Sequence, residues 1–276
     1  MKARWMKGLE LSISTCVFGE LEPEDALKRL VDIGWRNFEL DSEHLAMIDK
    51  RESPREDFSA LRDLSEKLTA SIPAIHYSPE VEPERTMQWA HILGVKWIVI
   101  HPIGADMTLD EQAAKQANLK MLQEWLGLAY KFKVGLAIEN MHDMIPNVPG
   151  KRSFGATPSD LLWLVQHTDP SLVGICWDTC HAYVQGLNQY QAIKRLGRHL
   201  VHTHINDNIS TVEEQHLIPF EGKVDWRGII RALREIKYDG LFNIEDGFSI
   251  KNLPLTLKKI KLRYLLKLAE LMIESL

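Results

Sequence analysis

The sequence predicts an α/β protein of one domain, a (β/α)8 barrel over residues 1–276, and three observations predict it. Short β-branched apolar runs alternate with helical patterns from end to end, the order expected of a parallel α/β fold. Seven of the runs end on a carboxylate or a histidine: Glu39 (FEL), His76 (IPAIHY), His101 (WIVIHP), Glu139 (LAIEN), Asp178 (ICWDTCH), His204 (VHTHIND) and Glu245 (LFNIED). The length of 276 residues is near the ~250 typical of one such barrel. A parallel barrel opens all its strand C-termini on one face, so the seven endings should converge there.

Each element has its own signal. LELSIST reads as the first strand, and the helix opening at PEDALKRLVDIG carries Leu27, Leu30 and Val31 at helical spacing with Gly34 as its stop. NFEL precedes a helix through 56–69, and IPAIHY precedes one across 82–93. KWIVIHP leads to a long helix from 109 to 131, and GLAIEN to TPSDLLWLVQH, which opens on a Thr/Ser/Asp cap signal. VGICWDT is followed by QYQAIKRLG, LVHTHIND by DWRGIIRALREI, and GLFNIED by the amphipathic LTLKKIKLRYLLKLAELMI. Loops at 43–55, 141–156 and 207–224 are left to shape substrate choice.

Period-two alternation fixes which way the endings point. In LFNIED, Leu241, Asn243 and Glu245 share one face, and Phe242 and Ile244 the other; in WIVIHP, His101 is in phase with Val99 and Trp97. The first sets face the barrel interior, where a buried charge needs a cation or a partner.

Composition narrows the functional classes. A hydrophobic fraction of 45% and a charged fraction of 26% are ordinary for a soluble globular protein. The start, MKARWMKGLELSIS, lacks a signal-length apolar run, and no segment approaches ~18 apolar residues, which argues against secretion and membrane insertion. Cys16, Cys176 and Cys180 are odd in number, which speaks against a structural disulfide and for a reducing cytoplasm. A net charge of −5 and a pI near 6.1 argue against a broad nucleic-acid surface.

Glu139, Asp178, His204 and Glu245 end the fifth to eighth strands. Three carboxylates converging with one imidazole repel one another unless a divalent ion neutralises them. Mixed oxygen and nitrogen ligation suits Mn²⁺, Mg²⁺, Co²⁺ or Zn²⁺ without choosing among them. A second group, His76, His101, His181, Glu214 and His216, is positioned either to hold one or two further metals or to bind substrate. Lys151 and Arg152, on the loop after the fifth strand, are candidates for a substrate phosphate or carboxylate. His202 shares a face with His204 but lies deeper, as a core histidine hydrogen-bonded inside the barrel. His44, His91, His142, His167 and His199 are expected at the surface, with His142 near enough to Glu139 to line the pocket. Trp177 should pack against the helices, Cys180 should be a small buried hydrophobe, and Phe220 and Trp226 are candidates for an apolar pocket wall.

LAIEN, VGICWDTCHAY, LVHTHINDN, HLIPFEGKVDW and FNIED, in this order, resemble the xylose isomerase-like TIM-barrel superfamily. That superfamily includes sugar and sugar-phosphate isomerases and epimerases, inositol-catabolism enzymes, dehydroshikimate dehydratases and endonuclease IV. Resemblance to the ketose 3-epimerase branch implies one metal held by Glu139, Asp178, His204 and Glu245. It also implies proton transfer by Glu139 and Glu245, with His181 touching substrate. Resemblance to endonuclease IV implies three zinc ions on His76, His101, Glu139, Asp178, His181, His204, Glu214, His216 and Glu245. Two departures stand out: Glu214 occupies a place where the nuclease pattern has Asp, and Phe220 one where the family commonly has Gly.

Two enzymes and one binding protein follow from these residues. The favoured reading is a metal-dependent isomerase or epimerase of a small carbohydrate. The runner-up is a multi-zinc phosphodiesterase acting on abasic DNA, or a related metal-dependent dehydratase, and the third is a barrel that binds a sugar without turnover. No dense Lys/Arg stripe marks the top loops, which weighs against DNA. A homo-oligomer is left open.

Overall fold

The computed structural model describes residues 9–143, 152–246 and 248–275. Eight parallel strands close into a barrel in sequence order. They are β1 (Glu10–Ser14), β2 (Asn37–Leu40), β3 (Ser71–His76), β4 (Trp97–Ile100), β5 (Gly135–Glu139), β6 (Val173–Asp178), β7 (Leu200–Ile205) and β8 (Leu241–Ile244). The last strand closes on the first, with Ser12 opposite Asn243. Helices return between the strands as the sequence predicts, and four of them (Pro23–Ile33, Pro54–Lys67, Pro83–Leu93 and Pro158–Gln166) begin with proline. Proline fits there because the first turn of a helix has no use for its missing N–H.

The loop expected over 43–55 is in part a helix, Ser42–Asp49, whose first turn is capped by the Asp41 side chain accepting from the Glu43 N–H. This corrects the expectation for His44, which the helix carries inward. His44 is fully buried, with Nδ1 2.8 Å from Thr15 Oγ1 and Nε2 3.1 Å from the Leu21 carbonyl. A second short helix, Thr179–Val184, starts directly on Asp178 and is also new relative to the sequence pattern.

The strands bury two different faces. Outward residues such as Ile98, Ile100, Ile138, Trp177 and Phe242 join the large core beneath the helices. Inward, Val99, Ala137 and Cys176 pack together against Trp97 and Val201. Trp97 fills the lower barrel because its neighbour is Gly135: a Cβ there would stand 2.3 Å from the Trp97 ring. Gly174 gives Val201 room in the same way, next to the register shift between Ile175 and Cys176.

The rest of the inner wall is polar. Ser12, Glu39, His202 and Asn243 are fully buried. Among them, Ser12 Oγ, Glu39 Oε1, His202 Nδ1 and both amide atoms of Asn243 have no hydrogen-bond partner among the described residues. No helix among the described residues is long and apolar enough to cross a membrane.

Candidate active site

The strand endings converge as expected, and Glu139 stands at the centre of the cluster. Its Oε2 lies 3.3 Å from His76 Nε2 and 3.2 Å from His101 Nε2. Its Oε1 lies 3.1 Å from His204 Nδ1 and 3.4 Å from His181 Nδ1. Burial alone would push its carboxyl pKa up, but the His204 and His101 imidazoles outweigh that and hold it well below the usual range. Burial would likewise lower the pKa of His76, yet the adjacent Glu139 raises it to about 9. Oε2 is buried without an aligned hydrogen bond, although two imidazole nitrogens face it. One donor atom from each of His76, His101 and Glu139 lies within 4.8 Å of the others, a geometry that fits a shared cation.

Glu245 reaches the same point from β8, with Oε2 3.3 Å from His204 Nδ1 and 3.4 Å from His216 Nδ1. Burial opposes its ionisation, and the His204 and His216 imidazoles outweigh it, lowering its pKa. Asp178 is held by two asparagines that sequence reasoning missed. Asn140 accepts from the Asp178 N–H at 2.7 Å and donates to its carbonyl at 3.0 Å. Asn206 donates from Nδ2 to Asp178 Oδ2 at 2.8 Å, and the same nitrogen lies 3.4 Å from Glu245 Oε2. Asn206 is itself fixed, since its Oδ1 accepts from the Cys180 N–H at 2.8 Å. The available signal was positional: both amides follow within two residues of a strand-end ligand, in LAIEN and THIND.

Beneath this layer, Glu39 Oε2 is 2.7 Å from His202 Nε2 and 3.1 Å from His204 Nε2. His202 is the buried, hydrogen-bonded core residue expected of it. Burial would raise the Glu39 pKa, but His204 and His202 together hold it well below the carboxylate range.

On the other flank, Glu214 enters from the loop after β7. Its Oε2 sits 2.7 Å from His181 Nε2, 3.3 Å from His142 Nε2 and 3.7 Å from His216 Nε2. Hydrogen bonding to His142, His181 and His216 takes its pKa far below the usual range. Burial works against the charged form of His181, while Asp178 and Glu214 raise its pKa to about 9. His181 Nδ1 faces the Asn140 carbonyl at 2.8 Å and His142 Nδ1 the Asp143 carbonyl at 3.1 Å, which leaves both Nε2 atoms directed at Glu214. His142 is buried inside the cluster, lining the pocket as its nearness to Glu139 suggests and not lying at the surface.

The loop that carries Glu214 is built on Asp207, another residue the sequence did not single out. Its buried carboxylate accepts from the N–H groups of Asn208 (2.8 Å), Phe220 (2.8 Å) and Val224 (2.9 Å), and from Trp226 Nε1 (2.9 Å). Phe220 has φ of 73°, left-handed backbone that favours glycine, and these bonds hold it there. Replacing Asp207 with alanine orphans several donors at once. The variant should lose about 2–4 kcal/mol of stability by thermal unfolding, with early proteolytic cleavage between 207 and 224. An unchanged melting temperature and cleavage pattern would contradict this role.

Other expectations resolve individually. Arg152 is already paired, its guanidinium bonded to both oxygens of Asp160 beside the helix start at Thr157. Lys151 lies outside the described residues. Trp226 is buried and bonds Asp207, and Phe220, 54% exposed, packs toward it on the loop after β7. Trp177 faces the helices, where its Nε1 donates to Gln189, and Cys180 is fully buried.

An uncharacterised protein of Methanocaldococcus jannaschii is 24% identical over 263 residues, covering 89% of this chain and 86% of that protein. D-psicose 3-epimerase of Enterocloster bolteae is 26% identical over 167 residues, 60% of this chain and 52% of the epimerase. Among solved structures, the IolI protein with a bound zinc atom superposes with a TM-score of 0.78 at 16% identity, covering 96% of this chain and 98% of its own. The model of the xylose isomerase-like TIM barrel matches residues 82–260, more than half of the sequence, and the chain belongs to that family.

Proposed function

We propose that this chain is a divalent-metal-dependent isomerase or epimerase of a small carbohydrate, a ketose, ketose phosphate or keto-polyol. The observation that carries the reading is the meeting of Glu139 and Glu245 at His204 Nδ1, 3.1 and 3.3 Å away. Glu139 is buried and Glu245 half-buried at the rim, neighbouring imidazoles lower both carboxyl pKa values, and the two aim at one point from strands on different sides of the barrel mouth. Glu139, Asp178, His204 and Glu245 would hold the metal, and Mn²⁺, Co²⁺, Mg²⁺ and Zn²⁺ all suit the donors. When bound, such a cation supplies electrostatic stabilisation for the negative charge that develops on the substrate oxygens. One glutamate, as the carboxylate, takes the proton from the carbon beside the carbonyl; the other, carrying a proton at that stage, gives its own to the opposite face, and exchange with solvent restores the pair. Positioned proton transfer of this kind contributes ~10²–10⁴-fold. His181, oriented by the Asn140 carbonyl, is assigned to a substrate hydroxyl. The relatives named as epimerases support the substrate class, and a cytoplasmic setting belongs to the same proposal.

The multi-zinc phosphodiesterase is the second reading, favoured by the further donor groups His76–His101–Glu139 and Asp178–His181–His216. One experiment separates the two. A panel of ketoses in deuterated buffer with Mn²⁺ should include at least one that gains deuterium beside its carbonyl. No exchange with any sugar, together with two or three bound zincs and cleavage of abasic DNA, would overturn the isomerase reading.

A further inference from the structure

Glu39 falls outside the ligand set, yet the deepest part of the site hangs from it. It rises from β2 and is fully buried. It meets two histidines of β7 with a single oxygen: Oε2 is 2.7 Å from His202 Nε2 and 3.1 Å from His204 Nε2. The two rings stand nearly perpendicular, at 85° with centroids 5.4 Å apart, so both can aim one nitrogen at the same oxygen. A carboxylate oxygen only accepts, so each of those nitrogens carries its proton. On His204 this leaves Nδ1 as the atom that faces Glu139 Oε1 and Glu245 Oε2.

We propose that Glu39 is the positioning residue of the centre: it locks His204 into the tautomer with Nε2 protonated, so that Nδ1 is the ligand atom offered to the cation, and His202 holds Glu39 in place. The inference rests on the metal-dependent reading above.

A second observation supports it. Glu39 Oε1 and His202 Nδ1 are buried with no hydrogen-bond partner among the described residues. Each unpartnered polar atom of that kind destabilises the folded chain. Apolar side chains would fill the same volume with no such cost. A Glu–His pair kept under that penalty does something packing alone cannot, and orienting the ligand above it is what the geometry offers. An outer carboxylate of this type fixes the ring and raises the basicity of a ligating imidazole, and its loss typically weakens metal binding ~10–100-fold.

The test is Glu39→Gln in the full chain, near-isosteric and uncharged, with Glu39→Asp beside it. Zinc affinity, read by competition with a chromophoric chelator, should fall ~10–100-fold in the Gln variant and less in the Asp variant, which keeps the charge. In nitrogen-15 spectra of the zinc-loaded wild type, His204 should be protonated at Nε2, with a slowly exchanging proton there that disappears in Glu39→Gln. Wild-type affinity in both variants, or a zinc-loaded wild type protonated at Nδ1, overturns the proposal; a lower melting temperature alone would mark a structural role and also overturns it. If the wild type binds no divalent metal, the functional reading fails on its own. The slowly exchanging Nε2 proton, present in wild type and lost in Glu39→Gln, still decides whether Glu39 orients His204. Should Glu39→Gln fail to fold, the wild-type spectrum and the Asp variant carry the decision.

Discussion

Replacing Glu245 with glutamine should stop proton exchange into the substrate, lowering turnover by ~10³-fold or more. The amide keeps the shape of the side chain and removes the only property the step requires, a carboxylate that can accept a proton. Glu245 is the cleaner of the two glutamates to test, because its side chain is 16% exposed at the rim whereas that of Glu139 is 2% exposed and balances several imidazoles. Glutamine at 139 would therefore disturb packing and charge together. Deuterium incorporation from solvent reads the proton step directly, and metal content measured on the same sample separates a lost base from a lost ligand. A variant that exchanges deuterium at the wild-type rate would remove Glu245 from the mechanism.

Stripping the metal should abolish activity and lower the melting temperature by roughly 5–10 °C. That figure follows from a cation present at about 100 times its dissociation constant, worth about 2.7 kcal/mol, and from about 2–4 °C per kcal/mol for a chain of this size. The metal-free protein should also depend on pH in a definite direction. His76 and His181 have pKa values raised to about 9 by Glu139 and by Asp178 with Glu214, against burial that opposes the charge. Unfolded, they titrate near 6.5. A raised folded pKa gives stability that is complete below about 6.5 and fades as pH climbs through about 9. The chelated protein should thus be more stable at pH 6 than at pH 9, while a bound cation, which takes over the neutralisation of Glu139 and Asp178, flattens the difference. Melting curves with and without chelator at both pH values check this, and equal chelator effects at the two would contradict it.

The sequence made the barrel legible because period-two strands such as WIVI and LFNI state both their class and their inward face. The convergence of Glu139, Asp178, His204 and Glu245 followed from that phase. The partners these residues take across the barrel could not be read. Glu39 is visible as a strand ending, but its bond to His202 spans 163 residues and depends on barrel closure. The helix Ser42–Asp49 is short and weakly amphipathic, so its tertiary packing outweighs a faint local signal, and His44 was misplaced with it. Asn140, Asn206 and Asp207 are polar residues just beyond strand ends, where sequence distinguishes a turn former from a bracket for a buried carboxylate only by chance. His142 lies on a loop whose course is set by Asp143 and Gln185, contacts with no periodic signature.

The uneven lining of the barrel implies uneven motion. Around β4, β5 and β6 the ladder is long and the inside is dry and filled, with Trp97, Val99, Ala137 and Cys176 in mutual contact. Around β2, β7 and β8 the inside is hydrophilic, and two seams are short: β1–β2 registers only Ile13 with Phe38 and Ser14 with Glu39, and β7–β8 only His204 with Asn243 and Ile205 with Ile244, while β8 closes on β1 over four pairs. Short ladders open at lower free energy than long ones backed by close apolar packing. The β1–β2 and β7–β8 seams should therefore exchange their backbone protons before the wall of β4, β5 and β6, and His204 and Glu245 stand at the second of those seams.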